Sequence, residues 1–184
     1  MRVGALDVSI LVDAEGSFAT IAEAFPALSS DEEWRLPVNA VLIRGAGATL
    51  LVDTGLGPEP RAFMPGCGSA AGCRPRAYRR QPRRGGSRRA DAPARRSIES
   101  EGEELVVLGD VVVHELQLVD PDLVYVSEHD PELAAATRKQ ILGLLADRGT
   151  DAIVGHFHGP GRFSRNGEGF SWSSLSEEGE TAVE

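Results

Sequence analysis

A chain of 184 residues, 41% of them hydrophobic, is long enough for one domain with its own core and marginal for two. Its formal charge of −9 is uneven: residues 74–96 hold ten arginines and one acid, Asp91, while the rest carries nine basic and 27 acidic side chains. So acidic a body is a poor partner for nucleic acid, and no run of about 18 apolar residues offers a membrane span. The two cysteines, Cys67 and Cys73, are too few for a disulfide framework, and their spacing fits no common zinc knuckle. No basic stretch followed by an apolar one opens the chain, so the expected compartment is the cytoplasm.

Residues 2–12 place Val3, Leu6, Val8 and Ile10 in near alternation, which predicts a first strand. Residues 13–17 read as a turn, and residues 19–25 as a short helical turn stopped by Pro26. Ser29, Ser30 and Asp31 supply a cap for a short helix through Glu32, Glu33 and Trp34, ended by Pro37. Residues 38–43 form a strand, the glycines of 44–48 a hairpin turn, and residues 49–52 the return strand, which runs into Asp53-Thr54-Gly55. The composition then changes. Residues 66–97 are rich in Arg, Pro, Gly and Ala and have no hydrophobic period. Such a segment cannot bury enough apolar area to offset its ordering entropy, so it reads as disordered or as an inserted linker.

Order is expected again from Glu103. The stretch 105–118, LVVLGDVVVHELQL, is an apolar strand running into Gly109 and Asp110. A carboxylate at the end of a buried strand is costly unless something pairs with it. Asp110 is therefore either hydrogen-bonded in a turn or bound to a cation. Residues 123–126 read as a further short strand. A helix then starts with Asp130 as cap, Pro131 in the first turn and Glu132 beside the positive dipole end, and Gly149 stops it. Leu133, Ala136, Thr137, Gln140, Ile141, Leu144 and Leu145 trace its apolar face. Residues 150–155 are a buried strand ending in His156-Phe157-His158, a final hairpin turns at Asn166-Gly167, and 176–184 is an acidic tail expected to fray. Strand pairs followed by strand–helix–strand imply a mixed α/β architecture.

Three strands thus finish in Asp53, Asp110 and His156. Strand ends of layered α/β folds are where binding and catalytic groups gather. Singly, each is weak: a strand-terminal Asp before Gly is more often an Asx-type turn, and a lone His more often a satisfied surface or core group. Their order and context resemble the metallo-β-lactamase superfamily. VNAVLIRGAGATLLVDTGLGP is similar to the early hairpin of that fold, and LVVLGDVVVHELQLVDPD to the strand that delivers its metal-bridging Asp. DPELAAATRKQILGLLADRGTDAIVGHFHGPGRF resembles its late helix and the strand bearing its last His ligand. The likeness covers most of residues 1–57 and 101–175 and looks closest to stand-alone hydrolases that include lactonase-like members.

What the resemblance implies is a partial αββα sandwich, one domain over residues 1–184 interrupted at 66–97. It also implies zinc as cofactor and a small-molecule ester, lactone or amide as substrate, cleaved by metal-bound hydroxide. By position Asp110 matches the bridging carboxylate and is the catalytic candidate, while His156 matches the terminal His ligand. Asp53 matches a supporting residue that does not bind metal. His114 and Gln117 fall in a stretch that often lines the pocket, without a firm role, and His158 would share a strand face with His156 but is not normally used.

The departure from the family is large. Its H-x-H-x-D-H signature belongs between Gly55 and Asp110, where this chain has no histidine at all, and a further His ligand is missing too. A hydrolytic zinc needs about three to four protein ligands, and its chemistry depends on lowering the pKa of bound water. Two donors would hold it weakly. The resemblance therefore implies an impaired or inactive hydrolase, the alternative being a non-catalytic remnant or binding module of the same fold. The arginine block could meet nucleic acid or an acidic partner, but only Tyr78 offers a stacking ring and the acidic body would compete.

Overall fold

The computed structural model describes residues 1–53 and 95–175. Two sheets form the body. In the first, β1 (Arg2–Val3), β2 (Leu6–Thr20), β3 (Glu33–Gly45) and β4 (Ala48–Val52) lie side by side in that order, all antiparallel. In the second, the order is β5 (Arg95–Ser100), β6 (Glu103–Leu108), β7 (Asp151–Val154), β8 (Pro160–Asn166) and β9 (Gly169–Ser174). Among the described strands only β6 and β7 are parallel, and α3 (Pro131–Arg148) belongs to the connection between them. The remaining helices, α1 (Ile21–Ala24) and α2 (Leu116–Val119), are single turns.

Strand alternation explains the layers. Leu105 and Val107 of β6 face the first sheet and pack with Ile98, Ile153, Val3, Val8, Val41 and Ile43. Val106 and Leu108 face the other way, with Ala152 and Val154, and meet Ile141, Leu142 and Leu145 of α3. A third cluster joins Ala14, Phe25, Trp34 and Leu36, at the far ends of β2 and β3, to Val113 and Leu123 of the loop after β6. This α/β arrangement is the one the resemblance implied. Among the described residues, no helix is long and apolar enough to cross a membrane.

Several local expectations are corrected. Residues 13–17 are strand, because β2 pairs with β3 from Asp7↔Arg44 to Thr20↔Glu33, absorbing register shifts between Val12 and Ala14 and between Ser17 and Ala19. Residues 32–34 do not form a helix. Ser30 Oγ accepts the Glu32 N–H at 3.3 Å, a local turn, and β3 starts at Glu33. Pro37 lies inside β3 rather than ending an element. It is tolerated because β4 pairs only with Val41 to Gly45, so no described strand needs its missing N–H on that edge. The segment expected to be disordered at 66–97 overreaches at its end: β5 begins at Arg95, and Ile98 is buried opposite Leu105. The rest of that segment and the acidic tail lie outside the described residues. Residues 123–126 are loop, and the last turn is Gly167-Glu168, since Asn166 pairs with Gly169.

Helix α3 has the expected ends: Asp130 Oδ1 accepts the Leu133 N–H at 3.0 Å, and Gly149 takes a φ of 63°. Its buried stripe differs. Ala135, Arg138, Ile141, Leu142 and Leu145 face inward, while Leu133 is 62% exposed. An arginine inside the stripe is what hid it from a search for apolar spacing.

The β3–β4 turn puts Ala46 and Gly47 at φ of 47° and 72°. This is a two-residue turn that favours Asn-Gly. Ala46→Asn is expected to raise stability by up to about 1 kcal/mol in urea denaturation. Leu142→Ala, at a side chain with no exposure, is expected to lower it by about 2–5 kcal/mol.

Candidate functional site

The parallel register of β6 and β7 decides what meets at their ends. Leu108 pairs with Val154, so Asp110 and His156 each come two residues past a paired position, at the same end of the sheet. The ladder continues one step, with the Gly155 N–H donating to Leu108 O at 3.1 Å. The chain then turns, and His156 Nε2 lies 3.2 Å from Asp110 Oδ1. The Asp110 side chain is 78% exposed and that of His156 only 20%.

β3 reaches this point from the other sheet. Before Val41 no β4 residue lies beside it, so the polar groups on that edge are available. Pro37 O accepts from His156 Nδ1 at 2.9 Å. The Asn39 N–H donates to Gly155 O at 3.0 Å. The buried Asn39 side chain donates through Nδ2 to Val154 O at 3.2 Å and to Phe157 O at 2.8 Å. A carbonyl can only accept, so Nδ1 carries a proton, and Nε2 is left to face Asp110.

The hydrogen bond from His156 holds the Asp110 carboxyl below the usual carboxylate range, against burial and helped by the imidazolium charge. Burial pulls His156 down. The hydrogen bonds to Asp110 and to Pro37 O, with the charges of Asp110 and Asp53, outweigh it, and the imidazole titrates above its ordinary value. Asp53, at the end of β4, thus belongs to the same electrostatic neighbourhood. Its φ of 62° is a left-handed conformation uncommon outside glycine.

The other polar residues singled out in the sequence are placed differently. His114 is packed edge-on against Phe25 and Trp34, at centroid distances of 5.7 and 5.3 Å, and its Nδ1 accepts the Leu116 N–H at 3.0 Å. Burial lowers its pKa, opposed by the charges of Glu115 and Glu32. Gln117 is fully buried and braces the loop after β6: Oε1 accepts the Val113 N–H at 3.0 Å, and Nε2 donates to Leu123 O at 3.1 Å and to Glu128 Oε1 at 3.2 Å. His158 is exposed and follows a turn, in which the Phe157 N–H donates to Val154 O at 3.3 Å, so strand alternation does not govern it.

Sequence reasoning passed over three residues. Asn39 looked like an ordinary strand residue. Arg138, 1% exposed, donates through Nε to Val111 O at 2.9 Å and through its guanidinium to Pro121 O at 2.6 Å, and it is ion-paired with Glu128. Its spacing of three from Ala135 and four from Leu142 was the available signal. His129 lines a cleft of about 500 Å³ with Asp53, Asp110, Val111, Leu133 and Thr137. Glu128 also lines that cleft, and the buried Arg138 and Gln117 hold it from behind.

No family model and no curated protein matches the chain. Solved structures do. The chain superposes on AidC, a dizinc quorum-quenching lactonase in complex with the product N-hexanoyl-L-homoserine, with a TM-score of 0.75 and 14% identity over 97% of both chains. It superposes on the hydrolase AbOPH of the beta lactamase superfamily at 0.65, with 13% identity over 97% of both. A probable metal-dependent hydrolase from Staphylococcus aureus gives 0.66 and 12%, over the full length of both. The fold is that of the metallo-β-lactamase superfamily.

The zinc associated with that fold does not fit the donors described. No three His, Cys, Asp or Glu side chains among the described residues are placed to share an ion. The two that meet, Asp110 and His156, fall short of the three or four that a hydrolytic zinc needs, although the Nδ1–H bond to Pro37 O leaves His156 Nε2 on the face a metal would use.

Two outcomes are expected. A raised folded pKa makes the His156 contribution to stability complete below the unfolded value of about 6.5 and lost as pH rises through the folded one. The lowered Asp110 pKa makes its contribution complete above about 3.9 and lost as pH falls through the folded value. The stability gap between wild type and His156→Gln, read by denaturation, should therefore be widest near about pH 5–6 and shrink in both directions. Arg138→Met should cost about 3 kcal/mol by removing the charge partner of the part-buried Glu128 and the donors to Val111 O and Pro121 O, and adding Glu128→Gln should recover part of it.

Proposed function

We propose that this chain is a hydrolase of metallo-β-lactamase type with an impaired site, descended from zinc-dependent enzymes that cleave an ester, lactone or amide of a small molecule in the cytoplasm. In this reading Asp110 and His156 are the metal donors that remain, and Asp110 is the catalytic group that would orient a nucleophile. The observation that carries it is the 3.2 Å contact between Asp110, which lines the cleft, and His156, with no third donor beside them among the described residues. The cleft of about 500 Å³ is of a size that suits a small molecule. Neither residue is a good base as it stands. The carboxylate is held in its ionised form by His156, and both imidazole nitrogens are engaged.

A second reading, a binding module without catalysis, is favoured by the cleft wall, where the lining Glu128 is braced from the interior by Arg138 and Gln117. Elemental analysis after gentle purification separates the two from an intact enzyme. Zinc well below one equivalent is expected, with hydrolysis of an aryl ester and of an N-acyl homoserine lactone that falls less than about tenfold in His156→Gln. Near-stoichiometric zinc with a loss of several hundredfold or more would contradict the proposal. Saturable lactone binding without turnover would favour the binding module.

A further inference from the structure

We infer that Asn39 is a positioning residue for His156: it clamps, from the first sheet, the turn that carries the imidazole, and so decides which ring nitrogen faces Asp110. The inference deepens the reading in which His156 is a retained donor. It concerns how that donor is aimed, with or without an ion beside it.

Residues 154–157 form a turn closed by the Phe157 N–H, which donates to Val154 O at 3.3 Å, and His156 takes its third position. Asn39 holds three of the four carbonyls of this turn. Its side-chain Nδ2 donates to the first and the last, Val154 O at 3.2 Å and Phe157 O at 2.8 Å, and its backbone N–H donates to Gly155 O at 3.0 Å. Both protons of the side-chain amide are used. Serine has a single proton to give and an ionised aspartate none, so neither reproduces the clamp.

The same edge of β3 meets the imidazole two residues earlier. In a parallel bridge between Val38 and Gly155, the Asn39 N–H would donate to Gly155 O and the Gly155 N–H to Pro37 O. Only the first of these bonds is made. The Gly155 N–H goes to Leu108 O at 3.1 Å, and His156 Nδ1 takes its place on Pro37 O at 2.9 Å. The outer torsion of a histidine side chain is broad and roughly two-fold, so the ring does not choose a face unaided. Anchored at Nδ1, it presents Nε2 to Asp110 Oδ1 at 3.2 Å. The anchor is in reach only while the turn sits where Asn39 holds it.

The test is isotope-edited NMR of the full chain. In wild type the His156 Nδ1–H and both Asn39 side-chain protons are expected to be protected from solvent exchange. In Asn39→Ser the Nδ1–H should exchange at least about tenfold faster, and the ring-nitrogen shifts should move toward those of a freely turning imidazole. Leu142→Ala is the control for general loosening of the fold, and its His156 ring shifts should stay at the wild-type values. Wild-type ring shifts in Asn39→Ser overturn the clamp, as does an equal change in Leu142→Ala. If Asn39→Ser does not fold, wild type decides: freely exchanging Asn39 side-chain protons, or a ring protonated on Nε2 alone, overturn it, and protection of both groups supports it. Near-stoichiometric zinc with a retained Nδ1–H supports the clamp and overturns the impaired-hydrolase reading. Absence of zinc with wild-type ring shifts in Asn39→Ser overturns the clamp and leaves that reading in place.

Discussion

Everything at the mouth of this molecule depends on the pairing of two parallel strands. With Leu108 set against Val154, whatever follows each strand leaves the sheet at the same end. A carboxylate and an imidazole, 46 positions apart in the chain, become neighbours for that reason alone. Parallel pairing needs a long crossover. The connection here contains α3, whose inner face supplies the apolar layer that keeps β6 and β7 dry.

Two polar devices then give the end of the sheet its shape. One lies between the sheets, where an edge of β3 free of β4 turns the Pro37 carbonyl and the Asn39 amide toward the turn after β7. The other lies behind the cleft, where the Arg138–Glu128 pair and Gln117 supply the backbone of the loop after β6 with partners. Buried charges are tolerable only with such complete pairing. No buried side-chain polar atom among the described residues lacks a hydrogen-bond partner. The rigidity of the mouth therefore comes from protein–protein hydrogen bonds that span the two layers.

The sequence announced the elements whose causes are local. The β3–β4 hairpin showed in its glycines, α3 in its Asp-Pro-Glu start and its Gly149 stop, and β6 and β7 in their short apolar runs. Asp110 and His156 stood out because polar groups at the ends of buried strands need an explanation. What stayed hidden depends on partners far along the chain. The second half of β2 and the start of β3 carry turn and cap residues, and only pairing with each other makes them strands. Asn39 and Arg138 are polar residues at buried positions, and a search for apolar periodicity discards such positions. His114 and Gln117 could be given no firm role for the same reason: their partners, Phe25, Trp34 and Glu128, were not visible from spacing.

The central claim is that Asp110 and His156 stand without enough further donors, among the described residues, to hold zinc. Crystals grown with zinc salts and measured at the zinc absorption edge test it most directly. No anomalous peak is expected beside His156 Nε2 and Asp110 Oδ1. A peak about 2 Å from both side chains would contradict the account.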